Sequence, residues 1–181
     1  MKLSLSEDQQ NEMRHAYYDG APGMLVSGLV WIAAALVCDL LGLRQAVWTL
    51  LLGGALIYPI SILVTKAAGR AAKTSPDNAL NQLVMASTIW LILGCAMAYG
   101  LFLFNPALFF PAMMATIGSR YLVFASVYGR AIFWTMGVSL IVAGNVVFFL
   151  AIPPAVAAGL GGAMEIAFAF FVFSKASKLA A

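Results

Sequence analysis

Two charged residues, Arg120 and Glu165, lie inside long apolar segments of this sequence. An ionised side chain in the middle of a membrane is costly unless it is paired or hydrated, so such residues are usually present for a reason. A carboxyl group there can accept a proton, and a guanidinium group can hold an anion or a carboxylate. The two residues therefore either line a pathway or pocket, or form an interhelical ion pair that fixes the order of helices.

Helix geometry places these two side chains at similar depth. Glu165 follows Pro154 by eleven residues and Arg120 follows Pro106 by fourteen, which corresponds to ~16 Å and ~21 Å along their helices. Both segments are expected to run from the same side, so a direct contact is within reach. Glu165 also shares a helical face with small residues, which predicts that it points into a helix bundle: Ala158, Gly161, Gly162 and Ala169.

Five further residues are candidates for an intramembrane polar site or for a bend in a helix. Tyr121 is adjacent to Arg120 and either donates a hydrogen bond to Glu165 or packs in the core. Asn145 is expected to bridge two helices. Pro59 removes one helical hydrogen bond and predicts a kink, beside which Tyr58 and Ser61 lie as candidates for a polar site.

The elements that must position these residues are membrane helices. Apolar residues make up 63% of the 181 residues, charged residues only 9%, and the mean hydropathy is +0.95, whereas a soluble domain carries about a quarter charged residues. The apolar residues lie in runs of about 20 or more, the length that spans a bilayer. We therefore predict an all-α, polytopic bundle with spans at 22–41, 46–65, 80–104, 106–128, 131–152 and 154–174.

The chain divides into three parts around these spans. Residues 1–21 form a short amphipathic helix, predicted at 7–18 and ended by Gly20 and Pro22. Residues 22–175 form the six-helix transmembrane domain, and residues 176–181 a tail. The amino-terminal helix and the tail are both expected in the cytoplasm.

The distribution of Lys and Arg sets this orientation, because basic residues are retained on the cytoplasmic side. With six spans only Arg44 falls on the outer side, and Arg120 lies within a span. The other eight fall on the opposite side: Lys2, Arg14, Lys66, Arg70, Lys73, Arg130, Lys175 and Lys178. Both termini are therefore expected to be cytoplasmic.

No recognisable catalytic or metal-binding pattern accompanies the bundle. His15 is the only histidine, and Cys38 and Cys95 are far apart within apolar segments, so neither a metal nor another cofactor is predicted. Zinc-protease, nucleophile-elbow and nucleotide-binding motifs are missing from the sequence. The basic residues are dispersed rather than clustered, which disfavours a nucleic-acid partner. We expect a protein that is not an enzyme.

Several short phrases of the sequence form a familiar set: residues 22–31 (PGMLVSGLVW), 58–61 (YPIS), 117–121 (IGSRY), 127–130 (VYGR) and 164–165 (ME). Together they resemble a family of small, uncharacterised bacterial polytopic membrane proteins. They are distributed over nearly the whole chain. The resemblance implies a bacterial inner-membrane location and six helices, and it supplies no activity.

Two functions remain open from the sequence. The first is a small transporter or channel-like protein whose pathway passes Arg120 and Glu165. The alternative is a structural or regulatory membrane partner in which these residues clamp two helices together. The partners expected are the lipid bilayer and either further copies of the chain or another membrane protein that packs against small-residue faces.

Overall fold

The computed structural model describes residues 2–178, with side chains described for residues 7–175. Seven α-helices and no β-strand occur in this part of the chain. The helices are α1 (Lys2–Tyr17), α2 (Ala21–Leu40), α3 (Leu43–Ala67), α4 (Leu80–Phe104), α5 (Phe109–Tyr128), α6 (Ile132–Phe149) and α7 (Pro154–Lys178). Short 3-10 turns at Tyr18–Gly20 and Pro106–Leu108 precede α2 and α5. The predicted all-α class and the predicted number of long apolar helices are confirmed.

The helix boundaries follow the turn signals of the sequence with small shifts. Helix α4 begins and ends where predicted, whereas α1 begins five residues earlier and α3 three residues earlier. Pro106 opens a 3-10 turn, in which the Asn105 side chain accepts a hydrogen bond from the Ala107 amide at 3.1 Å. Pro59 lies within α3, which continues as one helix through it. The kink predicted there stays a prediction.

The long helices form two groups of three that share the same kind of contact. Helix α2 packs between α3 and α7, and α5 packs between α4 and α6. A Cβ atom added to Gly162 of α7 would lie 2.8 Å from the Gly28 carbonyl oxygen of α2. In the second group, a Cβ atom on Gly118 of α5 would lie 2.7 Å from the Gly137 carbonyl oxygen of α6. Backbone therefore approaches backbone at both crossings, which only glycine permits.

Aromatic and sulfur-containing side chains fill the core of the bundle. Trp31 of α2 is 1% exposed and its ring centroid lies 5.8 Å from that of Phe110 on α5. The same indole packs over Gly161, where an added Cβ would lie 3.0 Å from the ring. Phe109, Met114 and Phe133 are also fully buried. The large rings thus occupy the space beside the close glycine contacts.

The outer faces of the helices are apolar as well. Leu52, Leu63, Met97, Phe104 and Phe149 are each more than 60% exposed, an arrangement that a water-facing surface would not tolerate over so large an area. Six helical stretches, each containing one of the helices α2 to α7, are long and apolar enough to cross a membrane. The bundle is therefore apolar both inside and outside, as membrane bundles are.

Helix α1 packs against one end of the bundle. Its Met13 and Ala16 side chains are buried, and the Gln10 side chain donates a 2.8 Å hydrogen bond to the Ser126 carbonyl of α5. Gly20, with φ of 76°, turns the chain from α1 into α2. The loop between α3 and α4 is tied to α1 by a hydrogen bond from the Ala72 amide to the Ala16 carbonyl, at 3.0 Å.

The glycine contact between α2 and α7 gives a stability prediction. Gly162→Ala should destabilise the protein by about 1–3 kcal/mol, because the new methyl group meets the Gly28 carbonyl and the Ile32 side chain. Gly159→Ala, one turn earlier on the same helix, is the matched control, since its methyl group would lie 3.9 Å from Ala35. Thermal unfolding in detergent measures both. Equal unfolding temperatures for the two variants would contradict the close approach of these helices.

Candidate functional site

Glu165 occupies the centre of the bundle with no exposed surface. Its predicted face is confirmed, because Ala158, Gly161, Gly162 and Ala169 on the same side of α7 are also buried. These small residues bring α2 close and leave the longer carboxylate side chain directed into the interior. Glu165 is thus placed by the same feature that sets the helix spacing.

The carboxyl group of Glu165 is only partly hydrogen-bonded. The Tyr121 hydroxyl of α5 donates to its Oε1 atom at 3.2 Å, which confirms the hydrogen bond expected as one role of Tyr121. The Ser27 hydroxyl of α2 also lies close enough to interact with the carboxyl group. The Oε2 atom nevertheless makes no hydrogen bond. An unsatisfied buried oxygen of this kind is costly and calls for a specific explanation.

Arg120 is held between α5 and α4 rather than on the side of α7. Its Nη2 atom donates a 3.2 Å hydrogen bond to the Thr88 hydroxyl, and its guanidinium carbon lies 5.0 Å from the centre of the Phe124 ring. Its Nε atom is buried without a hydrogen-bond partner. The guanidinium therefore has one polar contact and one aromatic contact where full satisfaction would need several acceptors.

The two charged residues do not form an ion pair. The described side chains include one ion pair, Arg130 with Asp19, and it lies at the end of the bundle near α1. Arg120 and Glu165 are still close enough to interact electrostatically, with Tyr121 adjacent to Arg120 and bonded to Glu165. The direct ion pair, which was one of two alternatives left open by the sequence, is therefore not formed among the described side chains, since the arginine is directed towards α4 and the carboxyl group towards α2 and Tyr121.

Three of the other predicted polar residues lie away from this site. Asn145 is exposed on α6 and donates to the Ile141 carbonyl of its own helix at 2.8 Å, so the expected interhelical bridge is wrong. Tyr58 is 65% exposed on the outside of α3. The Ser61 hydroxyl donates to the Tyr58 carbonyl at 2.8 Å, again within one helix. The Asn145 and Ser61 side chains thus each donate a hydrogen bond within their own helix.

Sequence reasoning identified Tyr121 but missed Ser27, the other polar residue near Glu165, and Thr88, which binds Arg120. Ser27 is the single hydroxyl residue of α2, directly before Gly28, and this isolation in an apolar helix was the available signal. Thr88 also bonds the Val84 carbonyl of its own helix at 3.0 Å, and nothing in the sequence distinguished it from neighbouring Ser87. No group of three or more His, Cys, Asp or Glu residues suited to a metal ion occurs among the described residues.

A stack of aromatic rings separates Glu165 from the end of the bundle where α1 lies. The Tyr121 and Phe133 rings are stacked with centroids 6.3 Å apart, and the Phe133 and Tyr128 rings with centroids 5.1 Å apart. Tyr128 then reaches Gly20, where an added Cβ would lie 3.1 Å from its hydroxyl oxygen. This stack lies between the carboxyl group and the end of the bundle that carries α1.

Comparison with known proteins gives a family but no activity. The model of a family of unknown function (DUF7010) matches residues 6–175 of the chain. No curated protein and no solved structure matches it.

The hydrogen bond between Tyr121 and Glu165 links the two groups of helices, and its removal should be measurable. We expect Tyr121→Phe to lower the free energy of unfolding by about 0.6–1.7 kcal/mol, the range for hydrogen bonds between membrane helices. Tyr99→Phe is the control, because the Tyr99 ring packs on Trp48 and Phe102 while its hydroxyl makes no hydrogen bond. Chemical unfolding in mixed micelles compares them, and equal effects would mean that the Tyr121 bond does not stabilise the fold.

Proposed function

The chain belongs to this family of unknown function, and we propose that it is a small transporter- or channel-like membrane protein that carries protons through Glu165. The observation that carries the proposal is the buried carboxyl group with an unsatisfied Oε2 atom. Ionisable groups inside a membrane bundle commonly belong to ion pathways or proton relays, because folding alone would favour an apolar residue there.

The surroundings of the carboxyl group suit a site that gains and loses a proton. Protonated Glu165 can donate a hydrogen bond, and the Ser27 hydroxyl of α2, which lies close enough to interact with the carboxyl group, can accept one. After the proton leaves, both oxygens are acceptors, and Tyr121 already donates to one of them. Each protonation state thus has a hydroxyl group that matches it.

Arg120 supplies a positive charge near the site without neutralising it permanently. Because its guanidinium group contacts Thr88 and Phe124, it does not form an ion pair with the Glu165 carboxyl group. Its unpaired Nε atom is a donor that can turn towards an anionic group in the pathway. The lack of a direct ion pair supports a pathway over a helix clamp.

Proton passage requires the aromatic stack to move. In this conformation the rings of Tyr121, Phe133 and Tyr128 separate Glu165 from the end that carries α1. We propose that a displacement of α6, which carries Phe133, opens the route to water on that side, and that the opposite side opens in turn. A proton taken up from water at one end is then released from the same carboxyl oxygen at the other end.

The location and partners proposed for the protein follow from its composition. We propose a bacterial cytoplasmic membrane, with both termini on the cytoplasmic side and the bilayer as the main partner. The basic residues support this sidedness, since Arg14, Arg70, Lys73 and Arg130 line one cleft beside α1. Self-association, or binding of another membrane protein, would use the exposed apolar faces. We also propose that the protein is not an enzyme.

The proposed pathway predicts proton flux that depends on Glu165. Full-length protein is reconstituted into phosphatidylethanolamine–phosphatidylglycerol vesicles containing a pH-sensitive dye, and a potassium gradient with valinomycin makes the interior negative. We expect internal acidification faster than in protein-free vesicles. Glu165→Gln should reduce the rate to that of the empty vesicles, because the amide cannot accept and release a proton, and Arg120→Gln should slow it.

The control for this experiment is Asp39→Asn, which neutralises an exposed carboxylate at the end of α2. It should conduct like the parent protein. Equal rates for parent, Glu165→Gln and empty vesicles would rule out a proton pathway through this residue. A Glu165→Gln protein that conducts normally would place the pathway elsewhere and leave Glu165 a structural role.

A further inference from the structure

A wide cleft opens at the end of the bundle that carries α1. It has a volume of about 1090 Å³ and is lined by α1, the 3-10 turn after it, the loop between α3 and α4, and the turn between α5 and α6. Four basic side chains come from these separate segments: Arg14, Arg70, Lys73 and Arg130. Residues dispersed along the sequence thus converge on one cavity.

The two carboxylates in the cleft are already engaged by the protein. Asp19 accepts from the Arg130 Nε atom at 3.4 Å. Glu12 accepts from the Asn78 side-chain amide at 2.7 Å and from the Ser75 backbone amide at 2.5 Å. These contacts fix the loop between α3 and α4 against α1. The cleft has a net positive charge, because its lining contains four cationic side chains and two carboxylates.

Arg70 and Lys73 are the basic residues of the cleft whose side chains form neither an ion pair nor a hydrogen bond with a described residue. The Arg70 guanidinium carbon lies 5.0 Å from the centre of the Tyr18 ring, an aromatic contact that orients the group without using its hydrogen-bond donors. Lys73 is exposed, and no described side chain forms an ion pair with it. Arg14, by contrast, is engaged by the Tyr128 carbonyl and the Asn11 side chain.

The backbone around these residues is held in an unfavourable conformation. Tyr18, Asp19 and Ala72 have φ values of 54°, 53° and 51°, in the left-handed region that non-glycine residues rarely adopt. Tyr18 carries the ring beneath Arg70, and Ala72 lies between Arg70 and Lys73 in sequence. Strained residues persist where the surrounding contacts enforce them, and they concentrate at ligand sites. The strain here is located where these two cations are presented.

We propose that this cleft binds the phosphate group of an anionic ligand, with Arg70 and Lys73 as its principal contacts. A guanidinium group binds phosphate oxygens in pairs, and an ammonium group adds a compact charge. The retention of basic residues on one side of a membrane explains their location at this end. That retention does not explain why the basic residues surround one cavity whose two carboxylates already accept hydrogen bonds from the protein itself. Both a phospholipid headgroup and soluble phosphate offer this chemistry.

Binding to the full-length protein in detergent tests the proposal and separates the two sources. The probes are inorganic phosphate, dioctanoyl phosphatidic acid and dioctanoyl phosphatidylcholine, whose phosphate is masked by its choline. Saturable stabilisation against thermal unfolding gives the Kd of each. Stabilisation by inorganic phosphate indicates a soluble anion, whereas stabilisation by phosphatidic acid alone indicates a lipid headgroup. Phosphatidylcholine should have no comparable effect.

Charge removal in the cleft should weaken this binding. We expect Arg70→Gln/Lys73→Gln to raise the Kd roughly tenfold or more, the loss expected for charged hydrogen bonds. Lys66→Gln is the matched control, because Lys66 is exposed at the end of α3 but does not line the cleft. It should bind like the parent. The single variant Lys73→Glu, at an exposed side chain, tests the same charge if the double variant does not fold.

Two results would overturn the proposal. One is that neither inorganic phosphate nor phosphatidic acid stabilises the parent protein. The other is that the double variant and Lys73→Glu bind with the parent's Kd. The proposal is independent of the proton pathway, because its measurement is binding and the Glu165→Gln variant should bind the same probe unchanged.

Discussion

Close contact between helix backbones is the constraint on which this bundle depends. In an apolar solvent, burial of apolar surface does not drive helices together, and association relies on packing and on polar contacts. Here Gly28 meets Gly162 and Gly118 meets Gly137, so that carbonyl oxygens of one helix lie where a side chain would otherwise stand. These two crossings join α2 to α7 in one group of helices and α5 to α6 in the other. The space between the groups is then left for large rings, of which Trp31 and Phe110 are the clearest pair.

The charged residues occupy this framework in different ways. Glu165 lies on the small-residue face that brings α7 against α2, so the side chain is enclosed as a direct result of the close approach. Arg120 lies at the contact of α5 with α4 and satisfies part of its donor capacity through Thr88. The separation of the two charges means that neither one cancels the cost of burying the other by direct contact. This uncompensated burial is the physical basis of the proposal that they belong to a pathway.

The α1 cleft and the buried carboxyl group are separate features joined by one structural element. The rings of Tyr121, Phe133 and Tyr128 run from Glu165 towards Gly20 and the cleft. At the cleft, the carbonyl of Tyr128 also accepts a hydrogen bond from Arg14. A ligand that changes the position of α1 would therefore act on the last turn of α5.

Local sequence determined the number of helices and most of their boundaries, because glycine, proline and asparagine mark the turns that separate the long apolar segments. Helical periodicity also fixed the inward direction of Glu165, since a face of small residues packs closely against a neighbouring helix. Periodicity does not specify which neighbour a side chain meets. Asn145 bonds its own helix, Arg120 turns to Thr88, and Ser27 reaches the carboxyl group, because these choices depend on how helices distant in sequence are rotated and paired. The basic cleft was equally hidden, since its residues come from α1 and three connections that only tertiary packing brings together.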